Sequence, residues 1–533
     1  CPYDAVSSFA LEPMYISLDS LPEASDKAVK SMIADIKKKF PAGKKHVNYC
    51  IKEAKLAFLR QIYSTVGASS DLKGFKTFVS ENAYWIEDFA LFKVLKAYHE
   101  GRPWYEWADP YKGRDPKKME SFRKSHKDKI EFEKWLQWIA YSQFKSAKKH
   151  AASKGVLICG DLPILISRDS ADVWANTEFF KLEFSAGAPP DMYCAKGQRW
   201  GMPTYDWEMI AGDGYRYIKE KLKYAENFYD MIRVDHVVGL FRIWSIPCNE
   251  PAENEGLNGF FDPADENIWW GHGRDILAVM LDSTSMLFTA EDLGVIPKAC
   301  PDTLAEFAIP GNDVQRWVKD WAGTHDFIKP KDYRLLSVAM LSTHDTTNWP
   351  AWWEDEAGTV DETLFIRRTQ GRGIDYENAK EELFDGRLSR HGRLRWLKSV
   401  MSADILADRL GKDVREIGDF IDMYENTYRE KEKLWKHFGL KGPMKEKYSK
   451  ETVEKALSMT LGSESAFCVE LLMDYLYMTD IFDGDPYQNR INRPGTVSKD
   501  NWSLTIPISL EELLVHKVGG KIKAMVAAAG RAV

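Results

Sequence analysis

Residues 231–238 read MIRVDHVV, a short apolar run rich in β-branched residues that ends next to an aspartate. Three other runs have the same character: VLICGDLPILI at 156–166, MLFTAEDLG at 286–294 and SVAMLSTHD at 337–345. Longer segments with helical spacing or loop composition separate them. Short β-branched runs that alternate with such segments are typical of buried parallel strands, so the sequence predicts an α/β fold.

Each of the four runs carries an acidic residue at or near its end: Asp161, Asp235, Glu291 and Asp345. In an α/β barrel the carboxyl ends of all strands lie on one face, so these residues are expected to converge. They lie further apart in sequence than the roughly 30 residues of a minimal βαβ unit, which leaves room for inserted segments. We therefore predict a (β/α)8 TIM-type barrel with largely helical insertions between strands.

Hydrophobic patterning divides the chain into four regions. Residues 1–150 show helical spacing, as in NAYWIEDFALFKVLKAYHE, and are predicted to be the N-terminal part of the barrel with a helical insertion. Residues 151–360 are predicted to form the catalytic barrel core with substrate-lining loops, including a flexible flap at 249–273. Residues 361–480, with stretches such as RLRWLKSVMSADILADRLGK, are predicted to be mainly helical, and 481–533 to form the C-terminal closure of the barrel and a tail.

The composition favours a globular protein with small or neutral partners. The 533 residues are 44% apolar and 29% charged, enough to bury a large core. The net charge is -7 and no long basic block occurs, so no nucleic-acid partner is expected. No run of about 18 apolar residues is present, which predicts no membrane partner. The first residues lack the features of a signal peptide, so we expect a cytoplasmic location.

Several chemistries lack their sequence signatures. The seven cysteines are scattered without a CxxC pair, which predicts reduced, buried thiols. No GxGxxG or GxxxxGK[ST] loop follows a strand, and no GxSxG elbow occurs, so neither a nucleotide cofactor nor a serine nucleophile is expected. A metal-dependent hydrolase built on His236, His344 and the nearby aspartates stays an alternative. Because HxH and HExxH spacings are missing, we expect no metal.

Converging carboxylates suggest glycoside chemistry. A retaining glycosidase needs one carboxylate as nucleophile and a second carboxyl group as acid and then base. Asp235 and Glu291 are the candidates. Arg233 shares a strand face with Asp235 and is expected to keep that aspartate ionised, while a raised pKa would keep Glu291 protonated. The alternatives are a structural ion pair between Arg233 and Asp235, and a helix start at AEDLG.

Nine stretches then show a resemblance to the amylomaltases, or 4-alpha-glucanotransferases, of the alpha-amylase superfamily. These stretches occur in family order along almost the whole chain. They are CPYDAVSSFALEPMYISL, FVSENAYWIEDFALFKVLK, GRPWYEW, GDLPILISRDSADVWAN, GAPPDMYCAKGQRWGMPTYDW, RVDHVVGLFRIWSIP, TAEDLGVIP, LSTHDTTNW and NRPGTVSKDNW. In such relatives the first barrel strand precedes the position of Cys1.

The resemblance implies roles for particular residues. Asp235 would be the nucleophile, Glu291 the acid/base, and Asp345 a third carboxylate that binds sugar hydroxyls in the transition state. The implied substrate-binding residues are Tyr3, Asp161, Asp191, Gln198, Trp200, Arg233 and His344.

The resemblance also implies an activity. Segments of an alpha-1,4 glucan would pass from a maltooligosaccharide or glucan donor to glucose or another sugar acceptor, through a covalent glucosyl-enzyme. Two alternatives are compatible with the same residues: a retaining alpha-glucan hydrolase with the same carboxylates, and a glucan-binding protein without turnover.

Overall fold

The computed structural model describes residues 2–66, 73–190 and 196–531. Six parallel strands run through it in chain order: β1 (Cys159–Leu162), β2 (Met231–Val234), β3 (Leu287–Ala290), β4 (Gly311–Val314), β5 (Ser337–Met340) and β6 (Phe467–Cys468). β1, β2 and β3 are hydrogen-bonded neighbours, as are β4, β5 and β6. The Ala290 N–H donates to the Pro310 carbonyl at 2.8 Å, which joins the two groups. All four predicted runs contain a strand, and the α/β class is confirmed.

β4 and β6 were not predicted. β4 has the sequence GNDV, whose Asn312 and Asp313 are typical of a turn, and β6 is only two residues long. All four residues of β4 are nevertheless buried. Tertiary packing between β3 and β5 therefore overrides the weak local strand preference of this segment.

The helices cover the strands and fill the insertions. Those of eight or more residues are Lys27–Lys39, Ile51–Val66, Lys73–Glu81, Ala83–Tyr98, Pro116–Ser125, Lys127–Ala152, Arg216–Ala225, Trp269–Asp282, Ala299–Glu306, Glu362–Gly371, Tyr376–Leu383, Ala403–Leu410, Gly418–Thr427, Glu430–His437, Lys450–Leu461 and Lys517–Ala528. Shorter ones are Asp109–Lys112, Ala171–Ala175, Trp207–Gly212, Trp349–Ala351, Leu472–Leu476 and Leu510–Val515. Helices make up most of the described part of residues 1–150.

Local sequence explains where several helices begin. The Asp26 carboxylate accepts from the N–H groups of Ala28 and Val29, and Asp115 caps the helix that starts with Pro116. Helix Ala83–Tyr98 buries Trp85, Phe89 and Phe92 in the same core as the outward side chains of β1 to β3. Burial of each such side chain contributes roughly 1.5–3 kcal/mol, so the N-terminal helices hold this half of the strands in place.

The segments before and after β2 in the chain form an antiparallel sheet. Its strands are Phe184–Ala188, Gln198–Arg199, Ile243–Pro247 and Phe260–Asp262. The segment predicted as a flexible flap contributes the last of these strands and the start of helix Trp269–Asp282. The Trp244 indole also donates to the Gly256 carbonyl at 2.8 Å. The sequence pattern did not indicate the strand in this segment, because that strand depends on pairing with Ile243–Pro247.

Residues 361–480 form mostly helices, and one core lies between residues 360 and 424. One stretch differs from the prediction. RLRW was expected to start an amphipathic helix, but Arg393–Arg395 forms a strand that pairs with Thr359–Asp361, and the helix covers only Ala403–Leu410. The alternating pattern of RLR buries Leu394 in that core, so strand pairing prevails over helical spacing.

The cysteines only partly match expectation. The five described ones, Cys50, Cys159, Cys248, Cys300 and Cys468, are free thiols. Only Cys300 is buried, and Cys50, Cys159 and Cys248 are exposed, so the expectation of buried thiols was wrong for these three. No helix in the described part of the chain has the length and apolar character needed to cross a membrane.

Candidate active site

The register of β1 and β2 brings Asp161 next to Arg233. These two residues are paired across the strands, and Arg233 Nη1 lies 2.7 and 2.9 Å from the two Asp161 carboxylate oxygens. The same nitrogen lies 2.9 Å from Asp235 Oδ1. The Asp235 N–H also donates to the Leu162 carbonyl at 3.1 Å, which extends the strand pairing to this residue. Arg233 therefore holds two carboxylates at the carboxyl end of the strands.

The electrostatics of Asp235 differ from the prediction in one respect. Burial raises the pKa of Asp235 to about 6, and the charges of Asp161 and Asp345 act in the same direction. Arg233 lowers the pKa, as predicted, but does not outweigh burial and the neighbouring charges. With a pKa of about 6, most Asp235 carboxyls are still ionised at neutral pH.

Glu291 follows β3, where its N–H donates to the Val234 carbonyl at 2.9 Å. Both of its carboxylate oxygens accept backbone N–H groups at 2.9 Å, Oε2 from His236 and Oε1 from Leu293. Burial, followed by the charge of Asp235, raises the pKa of Glu291 to about 7, although Arg233 and the two N–H groups lower it. The predicted direction is confirmed: at neutral pH a large fraction of this carboxyl group carries a proton.

His236 brings its N–H to Glu291 through an uncommon backbone conformation. Its φ of 46° lies in the left-handed region, which a residue with a side chain rarely adopts. Burial lowers the pKa of the imidazole to about 4, so the ring is neutral. The ring of Trp200 meets it edge-on, with centroids 4.9 Å apart, and the Trp200 indole donates to Gln198 Oε1 at 2.9 Å. Trp200 thus contacts the residue whose N–H binds Glu291, and Gln198 contacts Trp200, whereas Asp191 lies outside the described residues.

The segment after β5 contributes His344 and Asp345. His344 Nε2 lies 3.3 Å from Asp345 Oδ2 and 2.7 Å from the Tyr3 hydroxyl oxygen. Tyr3 donates its hydroxyl proton to Asp161 at 2.7 Å. Burial, together with the charges of Asp235 and Asp161, raises the pKa of Tyr3, so the hydroxyl stays protonated. Tyr3 therefore links the residue at the end of β1 to the segment after β5.

Three further residues, which the sequence analysis did not select, complete the surroundings of Asp345. Asn492 Nδ2 donates to Asp345 Oδ1 at 2.7 Å, and Arg490 donates to the Asp345 carbonyl at 3.0 Å. The Trp502 ring lies 5.1 Å from that of His344 and 5.8 Å from that of Tyr3, between centroids. Asn492 and Trp502 begin and end the stretch NRPGTVSKDNW, so that motif was the available signal.

These contacts give Asp345 a different pKa from the other two carboxyls. Burial raises the pKa of Asp345, but the hydrogen bond and charge of His344 and the hydrogen bond from Asn492 outweigh it and hold the pKa below its ordinary value. The pKa of His344 is raised: burial opposes the shift, and the hydrogen bond and charge of Asp345 drive it. The pKa of Asp345 is thus shifted downward, whereas the pKa values of Asp235 and Glu291 are raised.

In the parts of the chain that the structure describes, no group of three or more His, Cys, Asp and Glu side chains forms a potential metal site. Four carboxyl groups, those of Asp161, Asp235, Glu291 and Asp345, are among the residues of the site. Carboxyls with raised pKa values at the ends of neighbouring parallel strands are typical of enzymes that break and form glycosidic bonds.

The comparisons with known proteins identify the particular family. A family model described as 4-alpha-glucanotransferase matches residues 1–509, so the chain belongs to the 4-alpha-glucanotransferase family. The 4-alpha-glucanotransferase of Chlamydia caviae is 32% identical over 523 residues, which cover 97% of this chain and 82% of the relative. That of Thermus thermophilus is 29% identical over 384 residues, 69% of this chain and 72% of the relative. The resemblance seen in the motifs is confirmed: the chain is a glucan-transferring enzyme.

Solved structures of amylomaltases have a fold similar to that of this chain. An amylomaltase from Streptococcus agalactiae in complex with acarbose matches with a TM-score of 0.72 and 20% identity, covering 100% of this chain and 89% of that chain. An amylomaltase from Corynebacterium glutamicum matches with a TM-score of 0.66 and 21% identity, covering 100% and 67%. The fold is therefore of the TIM-barrel type found in amylomaltases.

Proposed function

We propose that Asp235 is the nucleophile, Glu291 the acid/base and Asp345 the carboxylate that steadies the transition state. The observation that supports these roles most strongly is the environment of Asp235 and Glu291. The two residues follow neighbouring strands and are partly buried; burial raises the pKa of both, and the charge of Asp235 raises that of Glu291 further. One carboxyl group therefore tends to be ionised while the other keeps its proton, as a retaining mechanism requires.

The reaction then proceeds in two displacements. Asp235 attacks the anomeric carbon of an alpha-1,4 glucan, and the bond to the glycosidic oxygen breaks as Glu291 gives that oxygen its proton. The product is a β-linked glucosyl-enzyme and a shortened glucan. A hydroxyl of an acceptor sugar next attacks the same carbon, Glu291 takes the hydroxyl proton, and Asp235 departs. Two inversions give an alpha linkage again.

The remaining site residues bind the sugar. Asp345 is proposed to accept hydrogen bonds from hydroxyls of the sugar ring that Asp235 attacks, and His344 to donate one to them. An oxocarbenium-like charge develops on this ring. Tyr3 and Asp161 are proposed to form further hydrogen bonds with the same sugar. Arg233 is proposed to hold Asp235 in position. Gln198 and Trp200, together with Asp191, are proposed to line the cleft along the glucan chain.

We propose maltooligosaccharides or longer alpha-glucans as donors and glucose or another sugar as acceptor. With maltotriose as the sole substrate, the expected result is release of glucose and growth of longer maltooligosaccharides, measured by chromatography of the products. Glucose and maltose without any longer product would contradict transfer and indicate hydrolysis. No turnover at all would indicate a protein that only binds glucan.

The pKa values also predict a pH profile. Asp235 must be ionised, so kcat/KM is expected to rise as the pH increases through about 6. Glu291 must be protonated for the first step, so kcat/KM is expected to fall as the pH increases through about 7. The profile should be a narrow bell with its maximum between these values. Initial rates on maltotriose between pH 5 and 9 check the predicted profile. A flat profile over that range would contradict the roles given to Asp235 and Glu291.

We further propose that the six strands belong to a closed eight-stranded barrel. We also propose that the chain is organised into the four regions predicted from the sequence: 1–150, 151–360, 361–480 and 481–533. Tyr3 supports closure because it contacts both Asp161 at the end of β1 and His344 after β5, so the strand ends curve around one centre. The separate core between residues 360 and 424 supports the mainly helical region. Free thiols at the five described cysteines support a reducing, cytoplasmic setting.

A further inference from the structure

Arg316 lies beneath the segment that carries His344 and Asp345. It belongs to the 3-10 turn Gln315–Trp317 after β4, and its residue exposure is only 2%. Its guanidinium donates to the Leu341 carbonyl at 3.4 Å and to the Thr347 carbonyl at 2.9 Å. One buried side chain therefore contacts both ends of the segment 341–347.

Two hydroxyls in the same segment add to this contact. Arg316 Nη2 donates to Ser342 Oγ at 3.0 Å, and Nη1 donates to Thr347 Oγ1 at 3.1 Å. Glu356 Oε2 lies 3.8 Å from Nη1 and balances part of the charge. A planar guanidinium directs several N–H groups in fixed directions, which an ammonium group does not do. Arg316 thus satisfies four acceptors of the segment with one rigid donor.

The segment has limited support of its own at the residues that face the site. Its internal contacts form a short turn, in which the Thr346 N–H donates to the Thr343 carbonyl at 3.2 Å and the Thr343 N–H donates to the Thr346 hydroxyl at 3.0 Å. Neither contact involves the ends of the segment. Contacts from outside the segment therefore position it. Arg490 and Asn492 hold Asp345 itself, and the Leu341 N–H donates to Glu470 Oε2 at 2.8 Å. Arg316 adds contacts that reach both ends of the segment.

We propose that Arg316 is a positioning residue that holds the segment 341–347 so that Asp345 and His344 meet Asn492 and Tyr3. The proposal rests on the role given to Asp345 above. Arg316 does not touch the sugar in this arrangement; it acts only through the segment that it closes. Its loss would move a carboxylate that is needed in the transition state, so turnover should fall more than substrate affinity.

The test compares two arginines of the same kind. Arg395 is 8% exposed and donates to the carbonyls of Ala357 at 2.7 Å and Glu354 at 3.0 Å, but these hydrogen bonds do not reach the segment 341–347. Arg316→Lys is expected to lower kcat on maltotriose about 100-fold and to change KM less than about threefold. Both variants are expected to lower Tm by a similar amount, because each loses a buried guanidinium. Arg395→Lys is expected to keep kcat within about twofold of the parent enzyme.

Three results would overturn the proposal: a kcat of Arg316→Lys within about threefold of the parent enzyme, equal losses of kcat in both variants, or an effect confined to KM. Asp345→Asn, measured alongside, separates this from the proposed function. An active Asp345→Asn would overturn the assignment of the site itself. An inactive Asp345→Asn with an active Arg316→Lys would overturn only the role of Arg316.

A second variant keeps the proposal testable if Arg316→Lys does not fold. The double change Ser342→Ala with Thr347→Val removes both hydroxyl acceptors and leaves the arginine and the two carbonyl contacts. We expect kcat to fall about tenfold with KM nearly unchanged, since part of the contact remains. A kcat equal to that of the parent enzyme would overturn the proposal.

Discussion

Asparagine in place of Asp235 is expected to lower turnover of maltotriose by about four orders of magnitude or more. The proposed glucosyl-enzyme needs a carboxylate at this position, and an amide is a far weaker nucleophile. The fold should survive because Arg233 keeps its two contacts with Asp161, at 2.7 and 2.9 Å. Since burial opposes the ionised form of Asp235, Tm should stay the same or rise slightly.

Turnover is measured from the release of glucose, and folding from thermal unfolding. The matched control is Asp282→Asn, the same change at an exposed residue at the end of helix Trp269–Asp282, which should leave both readouts unchanged. A variant at position 235 that turns over maltotriose within about tenfold of the parent rate would remove this residue from the proposed mechanism.

Glutamine in place of Glu291 is expected to lower turnover of maltotriose by about 100- to 10,000-fold, because the departing glucan no longer receives a proton. A donor whose leaving group needs no proton, such as alpha-glucosyl fluoride, should restore the first displacement. The second displacement still lacks its base, so the glucosyl-enzyme should accumulate. Mass spectrometry of the digested protein should then find one glucosyl unit on the peptide that contains Asp235.

The same substitution has a predictable effect on stability. Both oxygens of Glu291 accept backbone N–H groups, and the amide nitrogen of glutamine cannot accept one of them. The unmet donor should cost about 1–3 kcal/mol in the free energy of unfolding. Glu226→Gln is the control, since Glu226 also accepts from a backbone N–H, that of Ser285, away from the site.

The two sugar donors test the acid role of Glu291. If Glu291→Gln lost as much turnover with alpha-glucosyl fluoride as with maltotriose, that role would be contradicted.

Strand prediction succeeded where residue type and environment agree. The runs around Asp161, Asp235, Glu291 and Asp345 are mainly apolar, and each contains a parallel strand with at least two buried residues. β4 escaped prediction because Asn312 and Asp313 have little strand preference of their own. The stretch RLRW was assigned to the wrong element because a window with charged and apolar residues fits helical spacing as well as a short antiparallel strand.

Site prediction shows the same division. Arg233, two residues before Asp235, could be placed beside it from strand geometry alone, and the structure has this contact at 2.9 Å. The net effect on the pKa of Asp235 could not be obtained in that way, because it depends on how deeply the carboxyl is buried and on Asp161 and Asp345. Asn492 and Trp502 lie more than a hundred residues from Asp345, so no spacing rule connects them.

The sequence by itself determined the alternation of strands and helices, the acidic residue at the end of each predicted strand, and the family. These depend on side-chain type and on local periodicity. Only the tertiary structure decided that Tyr3 joins Asp161 to His344, that two backbone N–H groups hold Glu291, and that Arg316 closes the segment 341–347. Hydrogen bonds and desolvation depend on distances between atoms far apart in the chain, and those distances exist only once the strands have packed.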